Sequence, residues 1–305
     1  MLVTTPVDVD REIRQLHLPD GRTLEVHLTN WAGTGADAPV IVDHHGTPGC
    51  GLPPSTTAAA AARHGVRLVG PTRPGYAGST PQPGRDVAAV AADVAAVLDQ
   101  LGVERAAVTG ASGGGPHALA TAAGLPGRIG AVATLASVGP YGAPGLDFLA
   151  GMGQDNVDEF GAALVGEPAL RAYLEAQRDG LAGVDAETIA QSLDSLLPPV
   201  DRAVVTGVLA EDLARSFSSG LAPGIEGWLD DDLAFTGPWG FALADLVVPV
   251  SIWQGGADLM VPAAHGAWLA GRIPGAAAHL LPLEGHLSIQ VGRIDEIIEW
   301  LVSAL

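Results

Sequence analysis

The sequence predicts an α/β fold built on a mostly parallel sheet, and three features carry that expectation. Over the first 140 of its 305 residues, short apolar runs alternate with amphipathic helical patterns, the signature of strands joined by crossover helices on both faces of a sheet. Residues 141–245 then read as successive helical segments without a convincing strand, and strands resume after residue 245. The expected organisation is a core of residues 1–140 and 246–305 with residues 141–245 inserted as a helical cap.

Residues 13–18 and 22–28 alternate apolar and polar side chains around Pro19-Asp20-Gly21 and read as an opening β-hairpin. Short apolar runs at 39–43, 66–69 and 106–109 read as buried strands. Val87, Val90, Val94 and Leu98 recur at three- and four-residue spacing, which places a helix over residues 87–101. Residues 131–138 supply the next strand. The nearly uncharged stretch around it, 129–138, is well short of the ~20 residues that a membrane span requires. In the cap, Asp185 is placed to cap a helix over 186–197 that stops at Pro198-Pro199. Asp201 is placed to cap another that carries Val204, Val205, Val208, Leu213 and Phe217 and ends at Gly220. Strands at 247–254 and 278–281 and a last helix over 294–301 close the chain.

Composition removes whole classes of function. With 34 acidic and 15 basic residues the chain carries a net charge of −19, which would repel a phosphate backbone or an anionic bilayer, so neither nucleic acid nor membrane is an expected partner. All fifteen basic residues are arginine. That excludes a P-loop lysine, Schiff-base chemistry, a kinase lysine and a serine-lysine dyad. The single cysteine, Cys50, forms no intrachain bridge and reads as a small buried apolar residue. Nothing reads CxxC or HExxH, and no metal is expected, since the adjacent His44 and His45 would point to opposite sides of a strand. The N-terminus MLVTTPVDVDREIRQ has neither a basic leader nor an apolar signal core, and reads as that of a cytoplasmic protein. Residues 141–245 hold 18 acidic residues against four arginines and so carry 14 of the 19 net negative charges. They read as solvated helix faces, the alternative being a negative field over a substrate entrance.

The chemistry centres on Gly110-Ala111-Ser112-Gly113-Gly114, a GxSxG directly after the apolar run 106–109 and directly before a helical pattern. A strand-to-helix turn this tight needs glycine beside the serine, lifts the hydroxyl above the sheet and sets it at a helix N-terminus that favours developing negative charge. The same residues resemble the TGxxxGxG fingerprint of short-chain dehydrogenases. That reading fails because the final glycine is Pro116, the motif lies on a middle strand, and the required catalytic lysine does not exist. A nucleophilic serine needs a base and an acid. Asp258, in Gly255-Gly256-Ala257-Asp258, and His286, in Leu283-Glu284-Gly285-His286, each follow a later strand and complete the order Ser, Asp, His. The bland alternatives are a helix-capping Asp258 and a surface His286. The loop His44-His45-Gly46-Thr47-Pro48-Gly49 is placed to supply a second amide, so the oxyanion hole is assigned to the backbone amides of Thr47 and Gly113. His44, His45 and His117 read as packing or loop residues.

Together these residues resemble the α/β-hydrolase fold superfamily, in its serine-hydrolase form with a helical cap. Arg73-Pro74-Gly75-Tyr76-Ala77-Gly78-Ser79 is similar to the family's RPGYGxS loop with an alanine in the glycine run, and residues 255–262 to its GxxDxxVP segment. The resemblance implies an eight-stranded sheet in the order 1-2-4-3-5-6-7-8, a cap between strands 6 and 7, and a mechanism without a cofactor. Ser112 argues against the dehalogenases and epoxide hydrolases, whose nucleophile is aspartate. HGTPG and GASGG differ from the HGGPG and GGSWG of proline iminopeptidases, while cofactor-free perhydrolases share the triad.

The expected activity is hydrolysis of a small neutral or cationic carboxylic ester, thioester or lactone through an acyl-enzyme on Ser112. Aminopeptidase or perhydrolase chemistry on the same triad is the alternative, and a ligand-binding protein that keeps the triad is the rival from another class. Tyr141, Phe148, Met152, Phe160, Trp228, Phe235 and Trp239 are the cap side chains available to line an apolar pocket, most of them expected in the core of the cap and two or three on the ligand, with Tyr141, Phe148, Met152, Trp228 and Trp239 the first candidates.

Overall fold

The computed structural model describes residues 9–305; most of the N-terminal segment on which the absence of a leader was read, residues 1–8, lies outside them. Its strands are β1 (Arg11–His17), β2 (Thr23–Thr29), β3 (Val40–His44), β4 (Arg67–Pro71), β5 (Ala106–Ala111), β6 (Ile129–Leu135), β7 (Val250–Gly255) and β8 (Ala277–Leu281). They form one eight-stranded sheet in the order β1-β2-β4-β3-β5-β6-β7-β8, the order the resemblance implies. β1 and β2 pair antiparallel as the opening hairpin and β2 pairs antiparallel with β4; the other neighbours are parallel.

The helices of the core are α1 (Ser55–Arg63), α2 (Val90–Leu101), α3 (Gly114–Gly124), α10 (Ala263–Arg272) and α11 (His286–Ser303). Alternation along the central strands divides the core in two. Val40, Val42, Val108, Val132 and Ile252 pack on one face with Val94 and Leu98 of α2. Ile41, Leu68, Ala107 and Ala133 pack on the other with Ile294, Ile297, Ile298 and Leu301 of α11. Both faces of the central parallel strands are thus covered, which is why β5, β6 and β7 are buried along almost their whole length, whereas the edge strand β8 is not. Each such fully buried aliphatic side chain stabilises the fold by about 1.5–3 kcal/mol. α2 stops at Gly102, whose left-handed φ of 66° a side chain would resist.

Between β6 and β7 lie six helices: α4 (Gln154–Val165), α5 (Glu167–Ala182), α6 (Ile189–Ser192), α7 (Pro199–Val204), α8 (Gly207–Leu221) and α9 (Glu226–Thr236). Two apolar clusters hold them, and each reaches into the core. One takes in Leu287 of α11 and the other Tyr76 of the Arg73 loop.

Three helices differ from expectation. The helix expected over 186–197 is reduced to the single turn α6. Asp185 does accept from the Glu187 and Thr188 amides as a cap does, but the helix ends at Ser192 and a separate 3-10 turn, Asp194–Leu196, follows it. Asp201 lies inside α7 rather than at the start of α8, and its carboxylate serves a different helix altogether. The closing helix begins at His286, eight residues before the expected start. Among the described residues, no helix is long and apolar enough to cross a membrane.

Candidate active site

Ser112 occupies the turn between β5 and α3 with a φ of 54°, a left-handed conformation that a non-glycine residue adopts only when its surroundings enforce it. The enforcement is steric. A Cβ at Gly110 would run into the Gly114 carbonyl, and one at Gly114 into the His44 carbonyl, so β5, the elbow and β3 close up only with glycine at both positions. The serine hydroxyl is thereby raised to the mouth of a cavity of about 350 Å³.

His286, 2% exposed, opens on the same cavity as the first residue of α11. Its Nδ1 is 2.9 Å from Oδ2 of Asp258, which sits buried in the loop after β7. Asp258 is fixed in turn: Oδ1 accepts from the Met260 and Val261 amides at 2.8 Å each, and the Gln254 amide reaches Oδ2 at 3.2 Å. This leaves one histidine orientation and one tautomer, with Nδ1 protonated and Nε2 free to act as a base. Ser112 and His286 line one cavity without a direct hydrogen bond between them, as is common in catalytic sites before substrate binds.

A residue read from the sequence only as a cap for its own segment holds His286 from behind. Asp201 of α7, fully buried, accepts from the backbone amides of His286 at 2.7 Å, Leu287 at 3.0 Å and Ser288 at 2.8 Å. It satisfies three of the four free amides at the N-terminus of α11, and a Cβ at Gly285 would collide with its carboxyl group. Burial acts to lower the His286 pKa, but the carboxylates of Asp258 and Asp201 outweigh it and hold the imidazole above its ordinary value.

The loop that carries Thr47 is anchored by a second buried device. Asp231 of α9 accepts from Arg73 at 2.7 Å, Arg85 at 2.5 Å, the Tyr76 hydroxyl at 2.9 Å and the Thr47 hydroxyl at 2.6 Å. Arg73 also donates to the carbonyls of His45 at 2.5 Å and Gly46 at 3.0 Å, and its own amide reaches His45 Nε2 at 3.0 Å. Burial opposes the charge of Asp231, but Arg73 and Arg85 prevail and hold it well below the usual carboxylate range. His45 is committed to the loop and held well below its ordinary value by burial and then by Arg73, so it is no rival base. Burial likewise pushes the Cys50 thiol up, away from thiolate chemistry.

Of the expected site residues, Thr47, Ser112, Trp228 and His286 line the large cavity. Gly113 lines, with Thr47 and Ser112, an adjoining chamber of about 50 Å³, and Asp258 stands behind His286. Tyr141, Phe148, Met152 and Trp239 line neither space. Phe148 packs edge-on against Tyr141, Phe160 and His265, and Trp239 stacks on Phe241, so Phe148, Met152 and Trp239 are spent on the main hydrophobic core, while Tyr141 is exposed. The large cavity is instead walled by Pro53, Leu135, Leu193, Leu213, Phe217 and Leu287. The aspartates at 230–232 are buried, not solvated. Successive residues on a helix turn by about 100°, so three consecutive charges cannot all face water on a helix that also buries Trp228, Leu229 and Phe235. Among the described residues, no group of three or more His, Cys, Asp or Glu is arranged to hold a metal ion.

Comparison with known proteins agrees with the fold. Residues 39–292 match the family model described as alpha/beta hydrolase fold. A hydrolase from Pseudomonas aeruginosa PA01 is 21% identical, with a TM-score of 0.66 over 95% of this chain and 97% of that one. An esterase from Exiguobacterium antarcticum is 19% identical, with a TM-score of 0.62 over 95% and 97%. The enol-lactonase from Burkholderia xenovorans LB400 is 21% identical, with a TM-score of 0.60 over 95% and 98%. At such identities these structures share the fold with this chain.

Proposed function

Because the chain belongs to the α/β-hydrolase family, we propose that it is a serine hydrolase of small neutral or cationic carboxylic esters, thioesters or lactones. One observation carries the reading: a buried, hydrogen-bonded Asp258–His286 pair opens on the same cavity as a serine held in a left-handed elbow. In this mechanism Ser112 Oγ attacks the acyl carbon while His286 Nε2 takes its proton, and Asp258 stabilises the imidazolium. The amides of Thr47 and Gly113 receive the oxyanion. His286 then gives its proton to the departing oxygen or sulfur, and water, activated by His286 in turn, releases the acid from Ser112.

The two spaces have separate tasks in this reading. His286 lines only the large cavity, and the leaving group must depart beside the histidine that protonates it. The leaving group therefore occupies the 350 Å³ cavity, and the acyl group points into the 50 Å³ chamber next to Gly113. Residues 141–245 act as the lid that closes over both.

The test is multiple-turnover hydrolysis of p-nitrophenyl esters of increasing acyl length. Sustained turnover is expected in the wild type, with a fall of about 10³-fold or more in Ser112→Ala. Turnover at the wild-type rate in that variant overturns the proposal.

A further inference from the structure

The chamber beside Ser112 contains more acid than its shape requires. It is walled by Val138, Phe160, Phe235 and Val261, yet Glu159 of α4 and Asp232 of α9 both open on it. Asp232 is fully buried, and its carboxyl group faces that of Glu159 with no arginine, histidine, hydroxyl or amide donor of its own among the described residues. Glu159 receives one hydrogen bond, from the Trp228 indole at 2.7 Å. Burial and then the proximity of Glu159 hold Asp232 well above the usual carboxylate range, and burial raises Glu159 as well, so the pair resists carrying two negative charges side by side. Neighbouring Asp231 is fully matched by Arg73 and Arg85, whereas no arginine or histidine lines this chamber.

Two carboxyl groups in a mostly apolar chamber cost stability, and a partner with several hydrogen-bond donors and a positive charge would offset that cost. An ammonium group has that character, with three donors on one charged atom. Asn156, whose side-chain nitrogen donates to the Met260 carbonyl at 3.0 Å, lines both this chamber and the large cavity. Phe160 and Phe235 add aromatic walls compatible with a cation. Distance sets the chemistry further. A space of about 50 Å³ that also includes Ser112 and Gly113 has room for only a few heavy atoms beyond the carbonyl carbon.

We infer that Glu159 and Asp232 bind a protonated amine on the acyl side of the substrate, within a few bonds of the scissile carbonyl. The substrates are then amino-acyl compounds whose leaving group lies in the large cavity. This assignment of sides rests on Ser112 being the nucleophile and His286 its base.

A matched pair of methyl esters tests the inference: alanine methyl ester and methyl isobutyrate, which differ by an ammonium in place of a methyl group. Acid release is titrated at pH 7, where an α-amine is largely protonated. Wild-type kcat/KM is expected to favour the alanine ester by at least about tenfold, and the ratio to fall toward one in Asp232→Asn and in Glu159→Gln. These two near-isosteric changes lie on different helices, so a folding failure in one leaves the other informative. Equal use of both esters by the wild type, or a ratio unchanged in the variants, overturns the amine site while leaving the hydrolytic reading intact. Calorimetric binding of the same esters to Ser112→Ala separates the two claims. If the wild type hydrolyses neither ester, yet Ser112→Ala prefers the alanine ester and loses that preference when Asp232→Asn is added, the amine site stands and the hydrolytic reading falls. Absence of both hydrolysis and preference overturns both.

Discussion

Replacing Asp201 with alanine removes the acceptor for three backbone amides at once, those of His286, Leu287 and Ser288. Hydrogen bonds to a charged group contribute roughly 1.5–3 kcal/mol each, and three sharing one carboxylate do not add in full. With the amides left buried, the expected loss is about 3–5 kcal/mol of unfolding free energy, read in urea as a lower midpoint with an unchanged slope. Asp201→Asn separates position from charge. An amide oxygen still accepts from part of the helix end, but the negative charge that favours the imidazolium is gone. The His286 pKa then falls toward its ordinary value. Since the base acts when neutral, the acid limb of kcat/KM moves to lower pH, and activity at pH 6 rises relative to that at pH 8. A loss below 1 kcal/mol in Asp201→Ala, together with an unmoved acid limb in Asp201→Asn, would refute this role.

Other expectations follow from the same geometry. In the wild type, the acid limb of the pH–rate profile should lie above pH 6.5, because the Asp258 and Asp201 carboxylates outweigh burial and raise His286; a limb at or below 6.5 contradicts that balance. Asp231→Asn leaves Arg73 and Arg85 with an uncompensated buried charge and should cost about 3–5 kcal/mol in urea unfolding, with a drop in kcat as the Thr47 loop loosens. A chamber of about 50 Å³ on the acyl side predicts that p-nitrophenyl acetate is used better than the octanoate, and an optimum at eight carbons would place the acyl group in the larger cavity instead.

Much of this was legible in the sequence because it is local. The elbow is spelled by contiguous residues whose backbone needs glycine, and Asp258 and His286 follow apolar runs that could be recognised as strands. What escaped were pairings between distant segments. Asp231 meets Arg73 across 158 positions and Asp201 meets the His286 amide across 85, and nothing local in either segment names its partner. Asp201 sits where a helix cap is expected, and only the folded chain shows which helix it caps. The aromatic residues failed for another reason. Phe148 and Trp228 are both large, apolar side chains of the insertion, and hydropathy alone does not say which packs among its neighbours and which faces a cavity. The run at 230–232 did hold a signal, since a helix that also carries the apolar Trp228, Leu229 and Phe235 leaves too little arc for three adjacent charges to face water.

The most direct test of the central claim is labelling with a fluorophosphonate, which reacts with a serine activated by a neighbouring base, followed by mass spectrometry of the digested protein. The account predicts a single adduct on Ser112, no labelling of Ser112→Ala, and labelling of His286→Ala slowed by orders of magnitude. An adduct on another residue, or equal labelling rates in the wild type and His286→Ala, would contradict it.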